Sequence, residues 1–275
     1  MNKTLHSLLL WILALVVTLG SAVFQRMTGP SYPISGKTEL AGSPVVYELP
    51  RTHGGVGGEF IQIIVPDTNI IGKLVYRRYP TNDEWTAVRL TRYGDTLQGI
   101  IPHQPPAGKV EYHIELKKAD AEITLPFSEN AVIRFRGRVP AWALLPHILA
   151  MFVFMLLSTR TGLQALRKQA PLKGYLWTTF SLLIVGGFIF GPIVQHFAFG
   201  DWWAGFPLGY DLTDNKTLIA LLGWIAAIFA FQRSKHYKVY IWIAALITLV
   251  IFLIPHSMQG SELNYSAQEQ IEDMQ

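Results

Sequence analysis

Residues 175–197 read YLWTTFSLLIVGGFIFGPIVQHF and contain no charged side chain. Hydrocarbon about 30 Å thick is crossed by roughly 20 helical residues, so this segment is long enough to span a membrane. Comparable apolar segments occupy residues 5–24, 139–158, 217–231 and 239–255. The sequence therefore predicts an α-helical membrane bundle with about five transmembrane helices.

The first apolar segment leaves two alternatives open. Lys3 precedes it and the small residues Gly20, Ser21 and Ala22 lie near its end, as in cleaved signal peptides. Its length instead favours an uncleaved anchor. Both alternatives leave the following residues on the same side of the membrane.

Composition agrees with a membrane class. The chain has 275 residues, of which 50% are hydrophobic and only 15% are charged. It contains no cysteine, which excludes disulfides, thiolate nucleophiles, Cys-ligated metals and c-type haem attachment. The net charge of +4 does not indicate nucleic-acid binding, because the basic residues form no clustered groove or stacking motif.

The distribution of charge between the apolar segments predicts their orientation, because Lys and Arg of short loops stay in the cytoplasm. Bases dominate the loop after the second segment (Arg160, Arg167, Lys168, Lys173) and the loop after the fourth (Arg233, Lys235, Lys238). Acids dominate the loop after the third segment (Asp201, Asp211, Asp214) and the tail, residues 256–275 (Glu262, Glu269, Glu272, Asp273). We therefore expect a protein of the bacterial cytoplasmic (inner) membrane with a cytoplasmic N terminus, and with residues 31–137 and the acidic tail exported.

The exported region between the first two segments shows strand patterns. Val110, Tyr112, Ile114 and Leu116 alternate with polar residues, which is typical of a half-buried strand. Further strands are predicted at residues 61–65, 73–79, 85–91, 97–101 and 131–136, separated by Pro, Gly, Asn and Asp. This spacing predicts an all-β sandwich at residues 31–137, inserted before a four-helix transmembrane region at residues 139–255.

A set of strand and turn residues within residues 74–116 carries a resemblance to known modules. In chain order these residues are Tyr76, Arg77, Trp85, Gly94-Asp95-Thr96, Ile101-Pro102 and Pro105-Pro106-Ala107-Gly108, followed by Val110-Glu111-Tyr112. With them, the region from about residue 35 to 137 resembles the immunoglobulin-like and fibronectin type III modules of bacterial exported proteins. The resemblance implies the sandwich fold of these modules, which bind partners or act as spacers. It implies no catalytic activity.

Three histidines are predicted near the exported ends of different helices: His147, His196 and His256. The loop after the third segment adds Asp211 and Asp214 as carboxylates. Imidazole with carboxylate binds transition metals, and two facing imidazoles bind haem iron. The residues therefore predict a haem or metal site near the exported surface, while the alternative is that the histidines only contact headgroups and water.

The loop at residues 200–217 is the least generic part of the chain and is predicted to bind a ligand or partner through Trp202, Trp203, Tyr210, Asn215 and Lys216. Its aromatic residues also suit a membrane interface. Thr213 or Asp214 is expected to cap the following helix.

The third segment contains small residues that allow close helix packing. Gly187 and Gly191 have the small-xxx-small spacing, and Pro192 predicts a kink beside them. This pattern indicates a packed bundle.

Two functional hypotheses follow. The first is a non-enzymatic accessory or interaction protein, whose sandwich binds an exported protein or glycan while the helices anchor it in the bilayer or dock with a membrane complex. The second is a membrane redox or metal-handling protein that uses the histidines. The chain contains neither a nucleophile–base pattern nor a metal-ligand motif, which favours the first hypothesis.

Overall fold

The computed structural model describes residues 3–168, 171–256, 260 and 262–267. The chain divides into two compact units. We call Met1–Pro30 with Val139–Gly260 the helical unit, and Ser31–Arg138 with Ser261–Gln275 the sandwich unit. Of the predicted acidic tail, Glu269, Glu272 and Asp273 lie outside the described residues.

The helical unit consists of α1 Lys3–Thr28, α2 Ala141–Ala165, α3 Lys173–Leu183, a π-helical segment Ile184–Phe190, α4 Gly191–Phe199, α5 Leu212–Arg233 and α6 Tyr237–Leu253. The segments α3 to α4 form one continuous helix, Lys173–Phe199. Among the described residues, this helix, α1, α2 and α5 are long and apolar enough to cross a membrane. The remaining apolar helix, α6, has 17 residues.

Close packing of the third helix involves Gly187, as predicted, together with Gly186 rather than Gly191. A Cβ added at Gly186 would lie 2.8 Å from Met151 Sδ of α2, and one added at Gly187 would lie 2.7 Å from Thr217 Cγ2 of α5. At Gly191 the nearest atom would be the carbonyl oxygen of Gly186 in the same helix, at 3.4 Å. The π-helical segment includes both close-packing glycines and ends before Pro192. Such π-helical turns are rare inside α-helices and are frequently found at functional sites.

Arg160 occupies a position that the sequence did not predict. We expected it in a cytoplasmic loop, but α2 continues to Ala165 and Arg160 is fully buried. Its guanidinium donates to Gln164 Oε1 (2.7 Å) and Ser7 Oγ (3.3 Å), and its Cζ lies 5.3 Å and 5.0 Å from the ring centroids of Trp11 and Tyr175. Arg160 is accommodated inside the bundle because side chains of α1 and α3 replace water around its guanidinium.

The opposite end of α1 is also joined to the bundle. The Gln25 Nε2 amide donates to the carbonyl oxygens of Phe252 (2.7 Å) and Ile254 (3.2 Å), which are at the end of α6. Both ends of α1 therefore bind to other helices of the unit.

The sandwich unit contains eleven described strands: β1 Ile34–Leu40, β2 Ser43–Leu49, β3 Thr52–Gly54, β4 Glu59–Ile64, β5 Ile71–Tyr79, β6 Thr86–Arg89, β7 Thr91–Tyr93, β8 Thr96–Ile101, β9 Lys109–Lys118, β10 Ala121–Leu125 and β11 Ala131–Arg136. One sheet has the order β1-β2-β4-β8-β7 and the other has the order β3-β11-β9-β5-β6, with β10 also paired to β9. The pairs are antiparallel except β3 with β11.

The two sheets enclose one hydrophobic core, as the alternating sequence predicted. On β9, Val110, Tyr112, Ile114 and Leu116 are buried, while the residues between them are partly exposed. Residues of β1, β2, β4, β5, β8, β10 and β11 and of the connections between strands belong to the same cluster. The region is therefore a β-sandwich-like pair of sheets, each burying one face.

Candidate functional site

The loop predicted to bind a partner is held on the first turn of α5. The Asp211 carboxylate accepts hydrogen bonds from the backbone N–H groups of Thr213 (2.8 Å) and Asp214 (3.3 Å). Asp211 is therefore the N-cap residue, and the expectation of Thr213 or Asp214 was wrong because α5 begins earlier than predicted. The Asp214 carboxylate accepts from Ala204 N (2.7 Å). Both predicted metal ligands thus bind backbone amides.

Lys216 and Asn215 of the same loop prediction also have structural roles. Asn215 Oδ1 accepts from Phe206 N at 2.7 Å. Lys216 is buried, and its Nζ donates to the carbonyl oxygens of Ile254 (2.8 Å) and Pro255 (3.3 Å). An ammonium at the C-terminal end of α6 meets the negative end of the helix dipole. These contacts join α5 to α6.

The aromatic residues of the loop divide into anchored and exposed side chains. The Trp203 ring stacks on Phe188 with centroids 5.7 Å apart, and its Nε1 donates to Phe206 O at 3.1 Å. Trp202 and Tyr210 are exposed, as are Phe206 and Leu208. An exposed apolar surface of this kind at a helix end suits the membrane interface.

The three predicted histidines have different contacts in the structure. His196 Nδ1 donates to Gly200 O (2.8 Å), and its ring stacks on Trp202 with centroids 4.3 Å apart. His147 Nδ1 donates to Gly186 O (2.9 Å). His256 is exposed just beyond α6 and lies within electrostatic range of Lys216 and His147.

Within the described residues, no group of three or more His, Asp or Glu side chains is arranged to hold a metal ion. Of the three histidines, His147 and His256 lie within electrostatic range of each other, and the ammonium of Lys216, which also acts on His256, opposes binding of a cation there. The haem or metal hypothesis stays a prediction.

A groove on the sandwich unit is a site that sequence reasoning missed. It has a volume of about 640 Å³ and lies on the outer face of β1, β2 and β4. Lys37, Glu48 and Gln62 supply polar groups, and Phe60 and Ile64 supply apolar surface. A concave surface that combines both kinds of group is the ordinary form of a binding site.

The apolar part of this groove continues across the sheet. Phe60 on β4 is paired with Ile100 on β8, and Ile64 on β4 is paired with Val46 on β2. We call Val46, Phe60, Ile64 and Ile100 the apolar strip. Phe60, Ile64 and Ile100 are all exposed, although the outer face of an antiparallel sheet is ordinarily polar.

A sequence signal for the apolar strip does exist. Strand β4 reads EFIQII, so apolar residues occur on both faces and the alternation is broken at Phe60 and Ile64. Ile61 and Ile63 fill the core, which leaves Phe60 and Ile64 without a packing role inside the sandwich.

Charged groups close one end of the groove. The Glu59 carboxylate contacts Nδ1 of His53, and the nearby Tyr112 hydroxyl donates to Pro50 O at 2.8 Å. Burial raises the pKa of Tyr112 well above its ordinary value of 10.0, with the Glu59 charge as a second cause, so the phenol stays neutral. This end of the groove is therefore hydrogen-bonded.

Comparisons with known proteins add little to this geometry. The sequence matches no family model and no curated protein. A solved structure described as "Crystal structure of Br derivative BhCBM56" matches with 11% sequence identity and a TM-score of 0.21, covering 38% of this chain and 92% of that chain. A likeness at this level establishes neither the fold nor the ligand of this chain.

Proposed function

We propose that this chain is a non-enzymatic integral membrane protein of the bacterial inner membrane. Its exported sandwich unit binds a protein partner through the apolar strip and the groove beside it, and its helical unit anchors that binding module in the bilayer. The observation that carries the proposal is the exposure of Phe60, Ile64 and Ile100 on a sheet face where polar residues are the rule.

Membrane insertion is supported by the surface of the helices. Leu145 and Leu149 of α2, Phe229 of α5 and Val250 of α6 are exposed, as are most of the leucines of α1. A helix with apolar residues on its outside as well as its inside is suited to lipid rather than water.

Orientation is supported by the position of the bases. Lys238 Nζ donates to the carbonyl oxygens of Arg167 and Lys168, both at 2.7 Å, so the two basic connections lie at the same end of the helical unit. This arrangement agrees with a cytoplasmic position for that end, even though Arg160 belongs to the helix rather than to the loop.

The strand order supports an immunoglobulin-like assignment for the sandwich. The order β2-β4-β8-β7 corresponds to strands A, B, E and D of such a fold, and β5-β9-β11 corresponds to C, F and G. Strand β1 extends the first sheet, and β6 extends the second. Modules of this architecture use exposed sheet faces and loops to bind other proteins, which agrees with the proposed role.

The chemistry of the apolar strip favours a protein over a glycan. Three of its four residues are aliphatic, and aliphatic side chains offer no flat ring on which a sugar can stack. Apolar residues surrounded by amide and charged groups, here Gln62, Glu48 and Lys37, are the usual composition of a protein interface with a polar rim.

Photo-crosslinking in living bacterial cells tests the proposal. The photoreactive residue p-benzoylphenylalanine replaces Phe60 in the full-length chain, and Phe127 serves as the matched control. Both are exposed phenylalanines of the sandwich unit, at 57% and 64%, but Phe127 lies outside the groove. We expect a discrete protein adduct from position 60 and none from position 127. Equal adducts at both positions, or none at either, would contradict a protein-binding site in the groove.

A further inference from the structure

The described part of the C-terminal tail, residues 262–267, belongs to the sandwich unit. Tyr265 is only 5% exposed, although the surrounding tail residues are mostly polar. An aromatic residue buried to this extent in a polar segment has a specific binding position.

The hydroxyl of Tyr265 fits into the turn before β9. Its oxygen lies 3.1 Å from Gln104 Oε1 and 3.0 Å from the carbonyl oxygen of Lys109, two acceptors for its single proton. A Cβ added at Gly108 would lie 2.9 Å from this oxygen, so the glycine provides the space that the phenol occupies. Burial raises the pKa of Tyr265 to about 12, so the hydroxyl stays protonated at physiological pH.

The guanidinium of Arg78 covers the ring of Tyr265 and is itself held by an ion pair. Arg78 Cζ lies 5.0 Å from the ring centroid, while the Arg78 guanidinium donates to both carboxylate oxygens of Asp83. The position of Arg78 is therefore set by the sandwich itself. We call Arg78, Gln104, Gly108 and Lys109 the tyrosine socket.

Two further contacts set the register of the tail. The backbone N–H of Leu263 donates to Ala107 O at 3.3 Å, and the Glu262 carboxylate forms an ion pair with the Lys109 ammonium. Tyr265 is not among the residues of the sandwich core. The contacts of the tail are therefore made outside the core.

We propose that the tyrosine socket is a peptide-binding site and that the tail segment 262–267 is its ligand, a detachable strap held in cis. The site recognises a segment with a tyrosine three residues after a glutamate, in which the tyrosine begins a helical turn at residues 265–267. The socket is separate from the groove on the other sheet, so this interaction does not depend on the partner proposed for the apolar strip.

Docking of the strap also has a topological consequence, which rests on the proposed membrane insertion. The tail and the sandwich must lie on the same side of the membrane, so the chain crosses it an even number of times between Arg138 and Glu262. The helices α2, α3 to α4 and α5 account for three crossings. The 17 residues of α6, at the lower limit of a spanning helix, therefore make the fourth.

Disulfide trapping tests the strap directly because the chain has no cysteine of its own. The pair Ala107→Cys and Leu263→Cys is introduced into the full-length chain in native membranes, and mild oxidation is followed by mass spectrometry of the linked peptide. The control pair is Asp95→Cys with Leu263→Cys, since Asp95 lies in the turn at the opposite end of β8. We expect an intramolecular link in the first pair only.

The contribution of the tyrosine is measured by the rate of the same reaction. Tyr265→Phe keeps the ring and loses the hydroxyl contact, so we expect trapping to slow about five-fold. Tyr265→Ala also loses the ring, and we expect a larger decrease. If the Ala107 variant is poorly produced, Lys109→Cys with Glu262→Cys and a short bismaleimide reports the same contact.

Three outcomes would overturn the proposal. The first is failure of the Ala107 pair to link while both cysteines react with maleimide, and the second is equal linking in the control pair. The third is a link that forms only between two chains. Loss of the Phe60 adduct would leave this result unchanged, so the strap and the proposed partner-binding function can fail separately.

Discussion

Replacing Gly187 with alanine is expected to destabilise the helical unit. The new Cβ would lie 2.7 Å from Thr217 Cγ2, a separation that packed atoms do not adopt, and the next atom would be 3.4 Å away. Thr217 is buried and its hydroxyl donates to Thr213 O at 3.1 Å, so the methyl group cannot turn aside without losing that bond. Inserting an extra carbon into a packed core costs about 1–3 kcal/mol, and we expect a loss of this size.

A second substitution separates this clash from a general effect of alanine. Thr217→Ser removes the methyl group and keeps the hydroxyl, and alone it should cost about 0.5–1.5 kcal/mol for the lost buried carbon. In the double variant the clash is absent, so its stability should equal that of Thr217→Ser. Gly174→Ala is the matched control, since no atom lies within 4 Å of its Cβ, and it should be neutral or stabilising by up to about 1 kcal/mol.

The free energies are measured by SDS unfolding in mixed micelles, with tryptophan fluorescence as the signal, because Trp224 is buried in the core of the helical unit. The packing of α3 to α4 on α5 would be refuted if the effects of Gly187→Ala and Thr217→Ser were additive. It would also be refuted if Gly174→Ala were as destabilising as Gly187→Ala.

Three other outcomes are expected. Hydrogen bonds from Lys118 and Ser43 lower the pKa of Asp67 below its ordinary value of 3.8. A carboxylate with a lowered pKa stabilises the fold at pH values above that ordinary value. The melting temperature of the sandwich should therefore fall as the pH drops below about 4, and it should fall less in Asp67→Asn. N-terminal sequencing of the mature protein should begin before Trp11, because cleavage after α1 would leave Arg160 without that ring. An absorption spectrum with elemental analysis should show neither haem nor a stoichiometric metal, and either signal would favour the histidine hypothesis instead.

The parts of the fold that follow from local pattern were predictable. Apolar length indicated the long helices, and the alternation along β9 indicated a strand of the sandwich, since each pattern is read within one segment. The end of α2 was not predictable in the same way. Arg160 looks like a loop residue until Ser7, Trp11 and Tyr175, from two other helices, are brought around it.

The candidate sites also divide into features with a local sequence signal and features that arise only from the fold. The apolar strip joins residues of β2, β4 and β8 that become neighbours only through strand pairing, although the break in the alternation of β4 at Phe60 and Ile64 was a visible signal. The tyrosine socket had no such signal, because Tyr265 is a single aromatic residue in a polar tail. Asp211, Asp214 and Lys216 were predicted to bind a metal or partner, whereas in the structure their side chains bind the backbone, and spacing alone cannot distinguish these two roles.

The most direct test of the central claim places a photoreactive residue at Gln62, in the middle of the groove, and measures the yield of its adduct with the partner protein. The yield is compared before and after a charged residue is introduced into the apolar strip. Ile64→Lys alters the strip, and Ile71→Lys is its matched control on the other sheet, since the two isoleucines are 50% and 49% exposed. We expect the adduct to be lost in Ile64→Lys and retained in Ile71→Lys. An adduct that survives Ile64→Lys unchanged would contradict partner binding through the apolar strip.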